Sequence, residues 1–258
     1  MSSFKILTPA NPKIMKGMKK GCMTFVLHLA PADLSGYQVC PMATEGCRRG
    51  CLNTAGRGGM MAGISRLTLA DIKAGTLNTI QAARIRKTRH FFEERDNFMA
   101  ALYLEVARAI KYAEKRGYLP AFRLNGTSDI RWERIPVTAV NAEKYPNLMA
   151  AFPSVNFYDY TKIANRRDLP VNYSLTFSLA ENNEPSAHAA MDGGMNVAVV
   201  FRKELPASFF GRPVVNGDDT DLRFLDPKGV VVGLTAKGNA KGDTTGFVRE
   251  VNSAAIAA

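Results

Sequence analysis

The sequence has few of the residues that build disulfide scaffolds, membrane spans or histidine-rich metal sites. Its 258 residues include four cysteines, three histidines and one tryptophan. No apolar run approaches the roughly 20 residues needed to span a bilayer, and residues 1–20 have no continuous apolar core of the kind found in signal peptides. Three cysteines crowd into twelve residues, where mutual disulfides would leave one unpaired, which favours a reduced compartment. We therefore expect a cytoplasmic protein with no membrane segment.

Several catalytic signatures are also missing. The chain has no G-x-x-x-x-G-K-[ST] phosphate loop and no G-x-S-x-G nucleophile elbow. No two histidines are near neighbours, which argues against a tyrosine nuclease with a metal-binding histidine pair. What the chain does have is positive charge, with 34 lysines and arginines against 23 acidic residues and a net charge of +11. That charge indicates nucleic acid or another polyanion as a partner. A generally basic, soluble surface is the alternative, because no long basic block concentrates the charge.

The hydrophobic pattern predicts an α/β fold in a single domain. An extended basic arm over about residues 1–20 precedes a buried strand, and a long loop over residues 31–63 follows that strand. Loops of such length are usually functional. Strands and helices then alternate, which predicts a mostly parallel sheet with right-handed crossovers. Strands are predicted at 22–30, 118–124, 155–161, 172–179, 195–201 and 229–234, and helices at 65–87, 96–116, 142–152 and around 185–191.

Polar residues follow several of these strands. Because the carboxyl ends of parallel strands meet at one edge of a sheet, functional groups gather there. From strand position alone, the residues predicted to line a cavity at this edge are Arg123, Asn125, Asp129, Tyr160, Lys162 and Lys237.

The loop after the first strand carries the most informative pattern. Cys40, Cys47 and Cys51 are spaced C-x6-C-x3-C and a glycine-rich run follows them. Thiolates are soft ligands that select zinc, copper(I) or iron–sulfur clusters. A [4Fe–4S] cluster held by these three cysteines fits the spacing better than a four-ligand structural zinc. Cys22 could supply a fourth ligand or be a small buried residue, and three unrelated free thiols are a further alternative.

A second basic feature lies on the predicted helix that follows this loop. One hypothesis is that its side chains contact nucleic-acid phosphates, and a solvated helix face is the ordinary interpretation of such charges. They are Arg84, Arg86, Lys87 and Arg89.

The segments CPMATEGCRRGC, RIRKTRHFFEERDNFMAAL, FRLNGTSDI, VNFYDYTK and SLTFSLAENN together carry a family resemblance. The chain resembles the bacteriophage family named after mycobacteriophage gene product eighty-eight, over about residues 13–241. Membership implies a phage protein in the host cytoplasm. The layout is also distantly similar to that of radical S-adenosylmethionine enzymes, which are partial (β/α) barrels with a three-cysteine cluster after the first strand. Their usual spacing is C-x3-C-x2-C, which differs from the spacing here.

Two hypotheses follow from these observations. The first is an iron–sulfur protein with a radical-SAM-like partial barrel, in which an open iron could bind S-adenosylmethionine or the cluster could be purely structural. The second is a nucleic-acid-binding phage protein with a structural cluster or zinc. Whether the protein is an enzyme stays open at this point.

Overall fold

A largely parallel sheet forms the centre of the molecule. The structure, a computed structural model, describes residues 5–9 and 12–251, so residues 1–4, 10 and 11 of the predicted basic arm lie outside the described residues. The strands are β1 (Leu7–Thr8), β2 (Cys22–Leu27), β3 (Leu119–Arg123), β4 (Val137–Thr138), β5 (Lys144–Tyr145), β6 (Asn156–Thr161), β7 (Tyr173–Ser178), β8 (Asn196–Phe201), β9 (Ser208–Phe209), β10 (Arg212–Asn216), β11 (Val231–Thr235) and β12 (Val248–Arg249). The helices are α1 (Pro12–Met18), α2 (Glu45–Arg49), α3 (Leu69–Lys73), α4 (Thr79–Glu93), α5 (Arg95–Glu114), α6 (Leu148–Ala151) and α7 (Glu184–Asp192).

The strands of the main sheet are ordered β1-β2-β3-β6-β7-β8-β11-β10-β9, and β12 pairs with the end of β8. Neighbours from β2 through to β10 run parallel, whereas β1 and β9 are antiparallel edge strands. The predicted α/β fold with a mostly parallel sheet is therefore confirmed. Across the described residues the sheet has two free edges and no closed barrel, and the finer prediction of a radical-SAM-like partial barrel stays a prediction.

The two faces of the sheet differ in polarity. Successive side chains of a strand point to opposite faces, and one face carries Phe25, Phe122 and Phe157, whose rings stack with centroids 5.6 and 5.3 Å apart. The long helix α5 covers this apolar face with Phe98, Leu102, Val106 and Ala109, all fully buried. The predicted helix over 96–116 is thus confirmed in type and nearly in its limits.

The opposite face, which we call the polar face, carries Arg123, Tyr158 and Tyr160. It is covered by the segment 220–226, where Asp221 pairs with Arg123 and the Phe224 ring lies 5.5 Å from that of Tyr158. A buried sheet face with charged and hydroxyl groups is unusual, because such groups must find partners when they lose water. The polar face is therefore a better candidate for a functional site than the apolar core.

Local signals account for the places where the elements differ from the predictions. The predicted helix at 65–87 is two helices, because Gly75 adopts a positive φ of 97° and Asn78 caps the start of α4. The predicted helix at 142–152 contains the short strand β5 and the one-turn helix α6. The strand β10 lies between the predicted strands at 195–201 and 229–234, where no strand is predicted. The predicted extended arm contains the edge strand β1 and the helix α1.

None of the helices described over residues 5–9 and 12–251 combines the length and the hydrophobicity needed to cross a membrane.

Candidate functional site

A carboxylate at the carboxyl end of the sheet helps to hold the cysteine loop in place. Glu181, which follows β7, accepts hydrogen bonds from Thr44 Oγ1 and from the Gly46 backbone N–H, both at 2.7 Å. Thr44 in turn caps the short helix α2 through the Cys47 N–H. A Cβ atom on Gly46 would lie only 2.1 Å from Thr245 Oγ1. The sequence places a glycine here because the loop and the C-terminal segment approach too closely for any side chain.

The glycine-rich run in this loop is explained by its own packing. Cβ atoms on Gly58 and Gly59 would lie 2.4 Å from the Asn53 carbonyl oxygen and 2.0 Å from that of Thr54. Buried Gln81 of α4 donates from Nε2 to the carbonyl oxygens of Asn53 (2.9 Å) and Gly58 (2.7 Å). These contacts fold the run back onto α4. The glycines thus serve backbone-to-backbone contact within the protein.

The cysteine thiols are held in different local settings. Cys40 Sγ accepts a hydrogen bond from the Ala32 N–H at 3.5 Å and donates to the Thr127 carbonyl at 3.8 Å. Burial, reinforced by the other two loop thiols, raises the pKa of Cys40 to about 12. Burial also raises the pKa of Cys51 to about 11, with Cys47 adding to that rise. These two thiols are therefore protonated at neutral pH.

The fourth cysteine is remote from the loop. Cys22 is the first residue of β2, whereas the loop leaves the other end of that strand after Leu27. Five residues of extended chain span about 17 Å. Cys22 is buried and its pKa is raised by that burial, so it is a small core residue.

The predicted iron–sulfur function is contradicted by this arrangement. Within the described residues, no group of three or more histidine, cysteine, aspartate or glutamate side chains is placed to hold a metal ion. Cys40 is half-buried, and its thiol is already hydrogen-bonded to the backbone of Ala32 and Thr127. The prediction of a cluster at Cys40, Cys47 and Cys51, with a structural cluster or zinc as the alternative, was therefore wrong.

Asn125, predicted to line a cavity, instead shapes the loop after β3. Its Oδ1 accepts hydrogen bonds from Ser128 Oγ (2.8 Å), the Ile130 N–H (2.9 Å) and Trp132 Nε1 (3.0 Å). Its backbone N–H donates to Asp159 Oδ1 at 2.7 Å. A buried amide that satisfies four groups at once fixes the course of this loop.

The structure brings Asp129 and Lys162, two of the predicted cavity residues, into contact. The Lys162 backbone N–H donates to Asp129 Oδ2 at 2.8 Å, and Lys162 Nζ donates to Ser178 Oγ at 2.7 Å. Burial raises the pKa of Asp129, although Arg166, 3.5 Å away, opposes that rise. These residues link the loops after β3 and β6 to the end of β7.

Arg123 and Tyr160 lie together on the polar face. An Arg123 terminal nitrogen pairs with Asp221 Oδ2 at 2.9 Å, and the guanidinium carbon lies 4.8 Å from the centre of the Tyr160 ring. Lys237, the last predicted cavity residue, is more exposed and its Nζ contacts Asp218 Oδ1. The structure therefore places Lys237 in an ion pair after β11, apart from the contacts described for the other five residues.

The four basic residues predicted on α4 divide into two pairs. Arg84 donates to the Asn53 carbonyl oxygen at 2.7 Å, and burial lowers its pKa to about 10. Lys87 donates to the Ile6 carbonyl at 3.2 Å, and burial lowers its pKa to about 8. Arg86 and Arg89 are exposed, with Arg89 Nε donating to the Ser35 carbonyl at 3.1 Å. Two of the four therefore face inward, and nucleic-acid contact by these residues stays a prediction.

A family profile described as Gene product 88 matches residues 5–251, which is nearly the whole chain. The chain belongs to the gene product 88 family. This agrees with the resemblance to a phage gene-product family that the sequence motifs predict. No curated protein and no solved structure gives a significant match. The similarity to radical S-adenosylmethionine enzymes is accordingly unsupported, and S-adenosylmethionine binding stays an untested prediction.

The gene product 88 chain also contains a buried network that sequence reasoning missed. Arg166, completely buried, contacts both carboxylate oxygens of Glu133 and donates to Tyr173 Oη at 3.2 Å. Tyr173 Oη then donates to Asp159 Oδ2 at 2.9 Å. These residues lie on different loops and strands with no common period, so the sequence gives no signal that they meet.

A second missed feature does have a sequence signal. Two basic residues and a glycine precede each of the neighbouring strands β2 and β3, as KKG at 19–21 and KRG at 115–117. The strands β2 and β3 are parallel and adjacent. The repeated tripeptide therefore places four cations at the amino end of the sheet.

Proposed function

We propose that the protein binds nucleic acid through phosphate contacts at the amino end of its sheet. The binding surface, which we call the amino-end basic surface, consists of Lys19, Lys20, Lys115 and Arg116. The net charge of +11 supports a polyanionic partner, and phosphate contacts supply most of the affinity in nonspecific nucleic-acid binding. The observation that carries the proposal is the side-by-side placement of the two basic turns.

The geometry of the two turns is closely similar. Gly21 and Gly117 both adopt the left-handed conformation, with φ values of 76° and 74°, which glycine accepts without steric cost. The Leu119 N–H donates to the Gly21 carbonyl at 2.9 Å and ties one turn to the other. Neighbouring strands are about 4.8 Å apart, so the two basic turns lie side by side at the amino ends of β2 and β3.

The charges of this surface are available to a ligand. All four side chains are exposed, and within the described residues none forms an ion pair with a carboxylate. Arg116 is pre-positioned by the Tyr112 ring, with its guanidinium carbon 3.6 Å from the ring centre. Glu114 is an exposed acid on the same helix end, so the local balance stays strongly positive.

A shallow depression of about 550 Å³ adjoins the basic surface. Met15, Met18 and Tyr118 form apolar walls, and Lys16 and Lys19 complete its lining. Aromatic and apolar side chains beside a basic surface provide stacking positions for bases in single-stranded nucleic acid. This feature favours a single strand over a duplex as the tighter ligand.

The test compares two variants that remove the same amount of charge. One replaces Lys19, Lys20, Lys115 and Arg116 with glutamine, and the matched control replaces four exposed cations elsewhere, Arg86, Arg89, Lys203 and Lys228. The affinity for a labelled 20-nucleotide single strand and its duplex is measured by fluorescence anisotropy at several salt concentrations. Each phosphate contact with a single strand contributes about −0.7 to the slope of log affinity against log salt.

We expect the amino-end variant to lose about three units of that slope, because four contacts are removed. The control should keep nearly the parental slope. If the control variant loses more affinity than the amino-end variant, nucleic acid binds at α4 or at another surface, and the proposal is wrong. A parental protein whose affinity hardly changes with salt would refute phosphate binding altogether.

A further inference from the structure

The polar face of the sheet contains buried donors that the protein itself leaves unpaired. Among the described residues, Arg123 Nε and Tyr160 Oη are buried and have no hydrogen-bond partner. Buried polar groups are nearly always paired, and an unpaired one destabilises the folded state. Arg123 lies over the Tyr160 ring, so these two donors lie beside each other.

A third donor reaches the same region from the end of the strand. Lys162 follows Tyr160 by two residues, so both side chains lie on the polar face. Lys162 Nζ donates to the Ser178 hydroxyl at 2.7 Å and lies 5.5 Å from the centre of the Phe247 ring. It forms no ion pair within the described part of the chain, but the Asp129 carboxylate, which accepts from its backbone N–H at 2.8 Å, is close enough to interact with its charge.

Helix α4 adds a further positive charge where it contacts the cysteine loop. Arg84 binds only the neutral carbonyl and amide oxygens of Asn53, at 2.7 and 2.5 Å. Arg84 and Lys162 both act on the ionisation of Cys51, which places both of them near that thiol. Asp221 offsets the charge of Arg123, and Asp129 partly offsets that of Lys162. Within the described residues, Arg84 forms no ion pair.

We propose that Arg123, Tyr160 and Lys162 bind a small oxyanion, a phosphate or carboxylate group, at the carboxyl end of the sheet. A guanidinium N–H, a phenol O–H and an ammonium group are all donors, and an oxyanion presents only acceptors. Charge-assisted bonds to Arg and Lys are the strong class of hydrogen bond. The position also agrees with the rule that ligands of open α/β sheets bind beyond the carboxyl ends of the strands. This site is separate from the amino-end basic surface and does not depend on the proposed function.

The test uses inorganic phosphate and acetate as probes in titration calorimetry with the full chain. Tyr160→Phe removes the unpaired hydroxyl, and Lys162→Gln removes the charged donor. Tyr158→Phe is the matched control, because Tyr158 lies on the same strand and face but its hydroxyl is already within 3.3 Å of Thr24 Oγ1. Thermal unfolding without anion shows whether each variant folds.

We expect millimolar or tighter binding of one probe by the parent and by Tyr158→Phe. Loss of a charge-assisted bond should weaken binding at least about tenfold in Lys162→Gln, and loss of a neutral bond about threefold to tenfold in Tyr160→Phe. Stronger binding of phosphate than of acetate would assign a phosphate group, and the reverse a carboxylate.

The proposal is overturned if neither probe binds the parent, because the buried donors would then be hydrogen-bonded only to water. It is also overturned if Lys162→Gln and Tyr160→Phe bind as well as Tyr158→Phe. The amino-end variant described above should bind the probe unchanged, so failure of the nucleic-acid proposal and failure of this one are distinguishable.

Discussion

Asp159 is a completely buried acid in the middle of β6, and its replacement by asparagine gives a direct test of the buried network. Burial raises the pKa of Asp159 to about 7 from the ordinary value of 3.8, against the opposing effects of Arg123 and of hydrogen bonds from Asn125 and Tyr173. In Asp159→Asn the Oδ1 acceptor for the Asn125 N–H is kept. The titrating proton is removed.

The sign of the pH effect follows from which state holds the proton. Between about pH 4 and pH 7 the folded protein keeps the Asp159 proton and the unfolded chain releases it, so the stability that this group contributes is present at low pH and is lost as pH rises through 7. The maximum slope is 1.36 kcal/mol per pH unit. Over roughly three units this amounts to at most about 4 kcal/mol, and water penetration and relaxation reduce the expected change to about 2 kcal/mol.

The assay is urea unfolding of the parent and of Asp159→Asn at pH 5 and pH 7.5. We expect the free energy of unfolding of the parent to fall between these pH values by about 2 kcal/mol more than that of the variant. Asp168→Asn is the control, because Asp168 is exposed to solvent. Its backbone adopts a positive φ of 54°, which asparagine tolerates. Parallel pH dependences for parent and Asp159→Asn would refute the assignment of a raised pKa to this carboxyl.

Three further predictions concern stability and composition. Glu105 accepts hydrogen bonds of 2.9–3.1 Å from the backbone N–H groups of residues 5–7. Glu105→Gln should therefore lower the free energy of unfolding, measured with urea, by about 2 kcal/mol. An unchanged urea midpoint would contradict this prediction. Gly59→Ala should lower the free energy of unfolding by about 1–3 kcal/mol, because the added Cβ would lie 2.0 Å from the Thr54 carbonyl oxygen. Gly242→Ala is the control, because a Cβ at residue 242 would meet no atom within 4 Å. Equal stability of the two variants would contradict the prediction. Replacing the three loop cysteines with serine should leave iron and zinc content unchanged by mass spectrometry, and loss of a stoichiometric metal from the parent would restore the metal-site prediction.

The hydrophobic pattern was sufficient to predict most of the fold. The continuous apolar run at β2 and the three- and four-residue spacing in α5 predict a buried parallel strand and an amphipathic helix, and both are present. The short strand β10 was missed because its sequence, RPVVN, includes a proline and lies among turn residues. Such short strands depend on pairing with their neighbours, here β9 and β11, which no local sequence pattern reports.

The candidate site was only partly predictable for a different reason. Strand position correctly indicates that Asp129 and Lys162 lie close together. The cysteine spacing suggested a metal site, but spacing does not show whether thiols are deprotonated or already bound to backbone groups, as Cys40 is. Likewise, a count of basic residues on α4 cannot show that Arg84 and Lys87 turn toward backbone carbonyls.

Hydrogen–deuterium exchange with and without a saturating single-stranded 20-mer is the most direct test of nucleic-acid binding at the amino-end basic surface. The account predicts that bound oligonucleotide slows exchange at the two turns, residues 15–21 and 112–119, and leaves the cysteine loop unchanged. Slowed exchange confined to α4 or to the cysteine loop, with the two turns unaffected, would contradict it.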